Sequence, residues 1–178
     1  MLLLKTSKKN QGFTLAELVI VLFIAGLLAS LSAPSFLSMN ERNKVNAAVT
    51  SVEGALKEAQ TGAMRKSKNC NITFSSTAIT SSDGCLITGA RKLQDVSLLS
   101  SLSTASPANS FNYNYKGITV DSSSNPQPLT NNITIVLLSN NNPKLVKCLV
   151  VSAPLGLIRT GTYNPSQVAF PAEQYCTP

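Results

Sequence analysis

The side chain with the most distinctive chemistry is Glu17, a carboxylate at the mouth of the apolar run Leu18-Val19-Ile20-Val21-Leu22-Phe23-Ile24-Ala25-Gly26-Leu27-Leu28-Ala29. Inside lipid such a group costs roughly 2.5–3.5 kcal/mol or more unless it finds a partner, so its default reading is functional. A cut between Gly12 and Phe13 would create that partner, a cationic α-amine on Phe13. The pairing would hold a register between chains, while the apolar residues supply packing. The plainer reading leaves Glu17 snorkelling at the membrane surface.

Other chemistry is sparse. The chain has no histidine, which removes the Ser-His and Cys-His pairs that most often supply a general base. No Gly-rich phosphate cradle and no cluster with metal-ligand spacing is present. The sequence therefore predicts no catalytic residue, no metal and no cofactor, and a chain that is not an enzyme. Asn71-Ile72-Thr73 and Asn132-Ile133-Thr134 match a short glycosylation pattern.

The elements that must position Glu17 are set by hydropathy. Phe13 to Leu31 would rise about 28 Å as a helix, enough to cross a hydrocarbon core of about 30 Å. Lys5, Lys8 and Lys9 precede this run, so the positive-inside rule keeps the head cytoplasmic and exports the chain beyond Pro34. Those lysines also account for three of the seven net positive charges. Pro34 lacks an amide donor and is expected to kink or locally melt the helix. Beyond it, Val45, Ala48, Val49, Val52, Ala55, Leu56, Ala59 and Ala63 recur at three- and four-residue steps. That spacing predicts one helix from about Thr14 to Met64, lipid-facing first and amphipathic after.

From Lys68 the period shortens to β-like runs at Asn71–Phe74, Cys85–Thr88, Phe111–Tyr115, Ile118–Val120, Asn132–Leu138, Leu145–Ser152 and Leu157–Thr160. Asn140-Asn141-Asn142-Pro143 reads as a hairpin turn between two of them. Leu93–Leu102 is expected to be a short helix or a loop, Ser100–Ser110 and Asp121–Asn132 loops, and 164–178 a surface tail. The fold class is α+β: a long N-terminal helix packed on an antiparallel β-sheet domain. Cys70, Cys85, Cys148 and Cys176 all lie in the exported part, where an even count favours disulfides. Three pairings are open; Cys70–Cys85, closing a hairpin-sized loop, and Cys148–Cys176, tethering the tail, are preferred.

Residues Lys8 to Ala29 resemble the type IV prepilin signal: a basic leader, Gly, Phe-Thr-Leu-x-Glu, then an apolar helix. The resemblance implies a leader at 1–12, a transmembrane and filament-core helix at 13–33, an amphipathic half at 34–66 and an exported β-rich domain at 67–178. It also implies cleavage after Gly12 and N-methylation of Phe13 by a prepilin peptidase/methyltransferase. Glu17 would then serve subunit assembly, and Pro34 falls where many pilin helices bend. The implied partners are other pilins or pseudopilins, the bacterial inner membrane and, indirectly, an assembly platform and ATPase. The chain would sit in that membrane with its domain in the periplasm before joining a pilus or pseudopilus.

The stretch from Lys147 to Gly161 is similar to the end of the domain shared by type II secretion protein-H pseudopilins and FimT-type minor pilins. There a hydrophobic strand leads to a Gly-Arg-x-Arg turn. Gly156 and Arg159 are kept, but Leu157 stands where the first Arg is expected. The similarity implies a low-abundance pilin or pseudopilin and, through the basic turn, an alternative role in DNA uptake. Arg159 would then join Lys144, Lys147 or the Arg65-Lys66-Lys68 cluster in phosphate contacts. Cations at a helix C-terminus are also favoured by the helix dipole alone.

Overall fold

The computed structural model describes residues 12–104, 109–164, 166 and 172–178, with the backbone alone described at 31–35, 103 and 104. Helix α1 spans Leu15–Lys66. It starts where Thr14 accepts the Glu17 amide on its hydroxyl at 3.2 Å, an N-cap that satisfies one of the otherwise unpaired first-turn donors. Glu17 lies in the first turn and Arg65 and Lys66 in the last, each charge placed as the helix dipole prefers. Helical structure is continuous through Pro34.

The chain divides into two compact units between Met39 and Asn40. In the first, the helix exposes Leu15, Leu18, Leu22, Phe23, Leu27 and Leu28. Among the described residues no helix is long and apolar enough to cross a membrane.

In the second unit the stripe along α1 meets two antiparallel sheets. One has the order β3-β2-β1-β5-β6, built from β1 (Cys70–Phe74), β2 (Ala78–Thr80), β3 (Arg91–Lys92), β5 (Ser110–Tyr113) and β6 (Thr119–Val120). The other runs β10-β9-β8-β7-β4, from β4 (Val96–Ser100), β7 (Ile133–Ser139), β8 (Val146–Ser152), β9 (Leu157–Tyr163) and β10 (Cys176–Thr177). Val45, Val52, Ala55, Leu56, Ala59 and Ala63 are fully buried and share one core with Ile72, Phe111, Ile135, Leu137 and Leu149. Small alanines let the helix backbone come close, and the larger chains fill the space between helix and sheets.

The β7–β8 hairpin is the spine of the second sheet. Ile133 faces Val151 and Ile135 faces Leu149, so these side chains point to the helix. The intervening Val136 faces Cys148 on the other side. There a second cluster of Val136, Val146, Cys148 and Tyr163 is covered by Tyr175 and Cys176. Both faces of this hairpin are therefore buried.

Several expectations need correction. Cys85–Thr88 is loop, not strand, because Cys85 is bonded to Cys70 and the amides of Ile87 and Thr88 point to the Glu58 carboxylate. Leu93–Leu102 contains β4, whose Val96, Leu98 and Ser100 alternate inward and pair with β7. A short 3-10 turn, Ser101–Thr104, comes after it. The tail contributes β10, paired with β9. The remaining Ser100–Ser110 loop expectation falls partly outside the described residues.

Candidate functional site

The N-terminal segment is simple in geometry. Gly12, Phe13 and Thr14 are non-helical and exposed, directly ahead of the first helical turn. A Cβ added at Gly12 would meet nothing within 4 Å. Glu17, three residues after the capping Thr14, is exposed on that first turn. Thr14-Leu15-Ala16-Glu17 has the T-x-x-E order of a capping box. The sequence reading overlooked that signal, and it gives Glu17 a position at the positive helix end before any partner is considered. Pro34 lies within the helix, and its side chain is among those not described.

The basic residues proposed to act together are separated. In β8 successive side chains alternate, so Lys147 shares a face with Leu149 and Val151, while Val150 points the other way. Arg159 is directly across from Val150 and therefore lies on the opposite face from Lys147. The Arg159 guanidinium donates to Glu173 in an ion pair. Asn132 also donates to that carboxylate, at 2.6 Å, and the two contacts, Asn132 first, hold Glu173 below the ordinary carboxylate value of 4.5. Lys147 donates to Thr162 Oγ1 at 3.1 Å, and Lys144 sits in the hairpin turn, exposed. Lys66 donates to the Gly84 carbonyl at 2.7 Å. Arg65 and Lys68 are exposed beside it.

Gly156, retained from the basic-turn pattern, has a local reason to be glycine. Its φ is +70°, and a Cβ would lie 2.8 Å from both Gln60 Nε2 and Tyr113 Cε1. The two glycosylation-pattern asparagines also have structural work. Asn71 donates to Asn112 Oδ1 at 2.8 Å, and Asn132 accepts the Ala153 amide at 2.7 Å while donating to Glu173.

The four cysteines form two disulfides, Cys70–Cys85 and Cys148–Cys176, with Cα separations of 5.8 Å and 5.9 Å. The second crosses from β8 over β9 to β10. It passes at Gly161, the residue facing Cys148, whose added Cβ would lie 2.3 Å from the Thr177 carbonyl oxygen.

A polar cluster, unforeseen in the sequence, joins the start of the buried helix half to the β7–β8 turn. Glu41 accepts from Ser139 Oγ at 2.8 Å, Asn141 Nδ2 at 3.1 Å and Lys44 at 3.2 Å. Ser139 is the largest influence holding its carboxyl below the ordinary value, with Asn141 and Lys44 adding. Lys44 also pairs with Asp95 at 2.8 Å, and Asp95 with Glu41 raises the ammonium pKa. Among the described residues no group of His, Cys, Asp and Glu could hold a metal ion.

Residues 7–33 match the family described as the prokaryotic N-terminal methylation motif. The N-terminal segment of this chain thus carries a prokaryotic N-terminal methylation motif. One curated relative is the type IV major pilin protein PilA of Myxococcus xanthus (strain DK1622), 44% identical over 52 residues. That alignment covers 29% of this chain and 23% of the relative, so the similarity spans less than a quarter of that protein's length. Among solved structures, the type IV minor pilin FimU of Pseudomonas aeruginosa (strain PAO1) aligns with 72% of this chain and 94% of its own, at 13% identity and a TM-score of 0.48. A second crystal form of FimU covers 68% and 90%, also at 13% identity, with a TM-score of 0.42. Likeness of that size transfers nothing to this chain.

Proposed function

We propose that this chain is a minor pilin or pseudopilin, a structural subunit that assembles through its N-terminal helix into a type IV pilus or a type II secretion pseudopilus. The observation that carries the reading is the match of residues 7–33 to the methylation motif. In it, Gly12 and Phe13 stand exposed ahead of a capped helix that continues into an apolar run. A prepilin peptidase would cut after Gly12 and methylate Phe13. The apolar helix would hold the subunit in the inner membrane, with its domain on the periplasmic side, until it joins other pilins.

Glu17 is the assembly residue in this account. Its carboxylate would meet the Phe13 amine of a neighbouring copy, where an unpaired charge is penalised and a paired one tolerated. Pro34, without an amide to donate, is the point at which the helix can bend as subunits pack. The chain itself performs no chemistry and needs no cofactor in this role. The DNA-uptake alternative gains no support from the basic turn, since Arg159 is engaged by Glu173 and Lys147 lies on the other face.

The test is mass spectrometry of the protein isolated from cells that contain a prepilin peptidase. The expected N-terminus is N-methylated Phe13. An intact Met1, or a start near Pro34, would overturn the proposal.

A further inference from the structure

Between the last turns of α1 and the disulfide loop lies a groove of about 440 Å³ lined by Lys57, Glu58, Thr61, Gly62, Arg65, Lys66, Cys85 and Ile87. We infer that it is a docking site for a short acidic, apolar-tipped peptide segment of a partner protein. The inference does not depend on the filament reading.

The first ground is rigidity around an exposed apolar residue. Ile87 is 77% exposed, yet the loop that carries it is fixed at several points. The Cys70–Cys85 disulfide ties it to β1. Glu58 accepts the amides of Ile87 and Thr88 on one oxygen and the Arg91 guanidinium, at 2.8 Å, on the other. Lys66 reaches the Gly84 carbonyl. Gly62 lets the loop close on the helix, since a Cβ there would lie 3.3 Å from the Cys85 carbonyl oxygen. A loop held this firmly loses little freedom on binding, which is where preorganised sites gain affinity.

The second ground is charge. Glu58 is paired with Arg91 and Lys57 with Glu53. Arg65 is exposed and has no ion pair among the described residues. The groove therefore offers two cations with no ion pair among the described residues, Arg65 and Lys66, beside an apolar tip, which fits acidic side chains next to a Leu, Ile or Phe. A nucleic-acid backbone would meet the cations but leave Ile87 unmatched.

The experiment pans a phage-displayed seven-residue peptide library on the full chain in detergent micelles. Recovered peptides should pair Asp or Glu with Leu, Ile or Phe. A synthetic peptide of the recovered sequence should bind about tenfold more weakly to Arg65→Glu and to Ile87→Ser. Both substitutions alter exposed side chains, and an unchanged thermal midpoint shows that each variant is folded. Arg65→Glu should in turn select Lys- or Arg-bearing peptides. The inference fails if no motif is enriched, or if binding ignores both substitutions. It also fails if Arg65-dependent binding is confined to single-stranded DNA or phosphatidylglycerol vesicles.

Discussion

Gly161 lies beneath the Cys148–Cys176 bridge with β10 against it, so even one added methyl has nowhere to go. Gly161→Ala should destabilise by about 1–3 kcal/mol in urea unfolding, with earlier proteolytic cutting of the tail than in the wild type. Glu17 belongs to a different class: it is exposed and makes no contribution to the buried core. Glu17→Leu should leave the thermal midpoint unchanged but lower the fraction recovered in sheared filaments, and normal assembly would remove its proposed role. Glu41 and Glu173 titrate below the ordinary carboxylate value of 4.5 because their neighbours favour the charged form. Folded carboxyls of this kind bind protons less readily than unfolded ones. Their stabilisation is complete above that ordinary value and is lost as pH falls through the lowered ones. Urea midpoints should hold steady from pH 7 to about 5 and then decline. Glu41→Gln with Glu173→Gln should flatten part of that decline.

Among the elements, those with a strong period were legible and those held by tertiary bonds were not. The α1 stripe repeats over many turns, and all its residues but the half-buried Val49 lie in the core. The β7–β8 hairpin has two long β-branched runs around an Asn-rich turn, which local chemistry suffices to specify. Two-residue strands such as β3 and β10 carry no period, because their partners create them. The loop at Cys85–Thr88 looks strand-like in composition, yet its amides are claimed by a carboxylate on the helix. The first helical turn is legible only in part, because the apolar run that follows outweighs its T-x-x-E order as a signal. Replacing Glu58 tests the loop. Glu58→Ala should speed hydrogen exchange of the Ile87 and Thr88 amides by tenfold or more, about 1.4 kcal/mol, with little effect on the β7–β8 amides.

At the scale of the whole molecule, two covalent ties complement a core that one helix shares with two sheets. They close loops of 15 and 28 residues, each worth about 3–4 kcal/mol on the chain-entropy account. Cys148→Ser with Cys176→Ser should lose about that much in urea unfolding while the helix signal persists in circular dichroism. The basic candidate residues could not have been sorted by sequence alone, since whether Arg159 and Lys147 face together depends on strand register. Register also decides which acid reaches Arg159, and Glu173 sits on a turn with no periodic signal.

Glu58 grips main-chain amides, so the shape of the Ile87 loop is indifferent to which side chains stand at its crest. Exchanging Ile87 or Thr88 can therefore redirect what the protein recognises while the frame beneath stays unaltered. Such a site is open to evolutionary retuning one residue at a time, without renegotiating the fold.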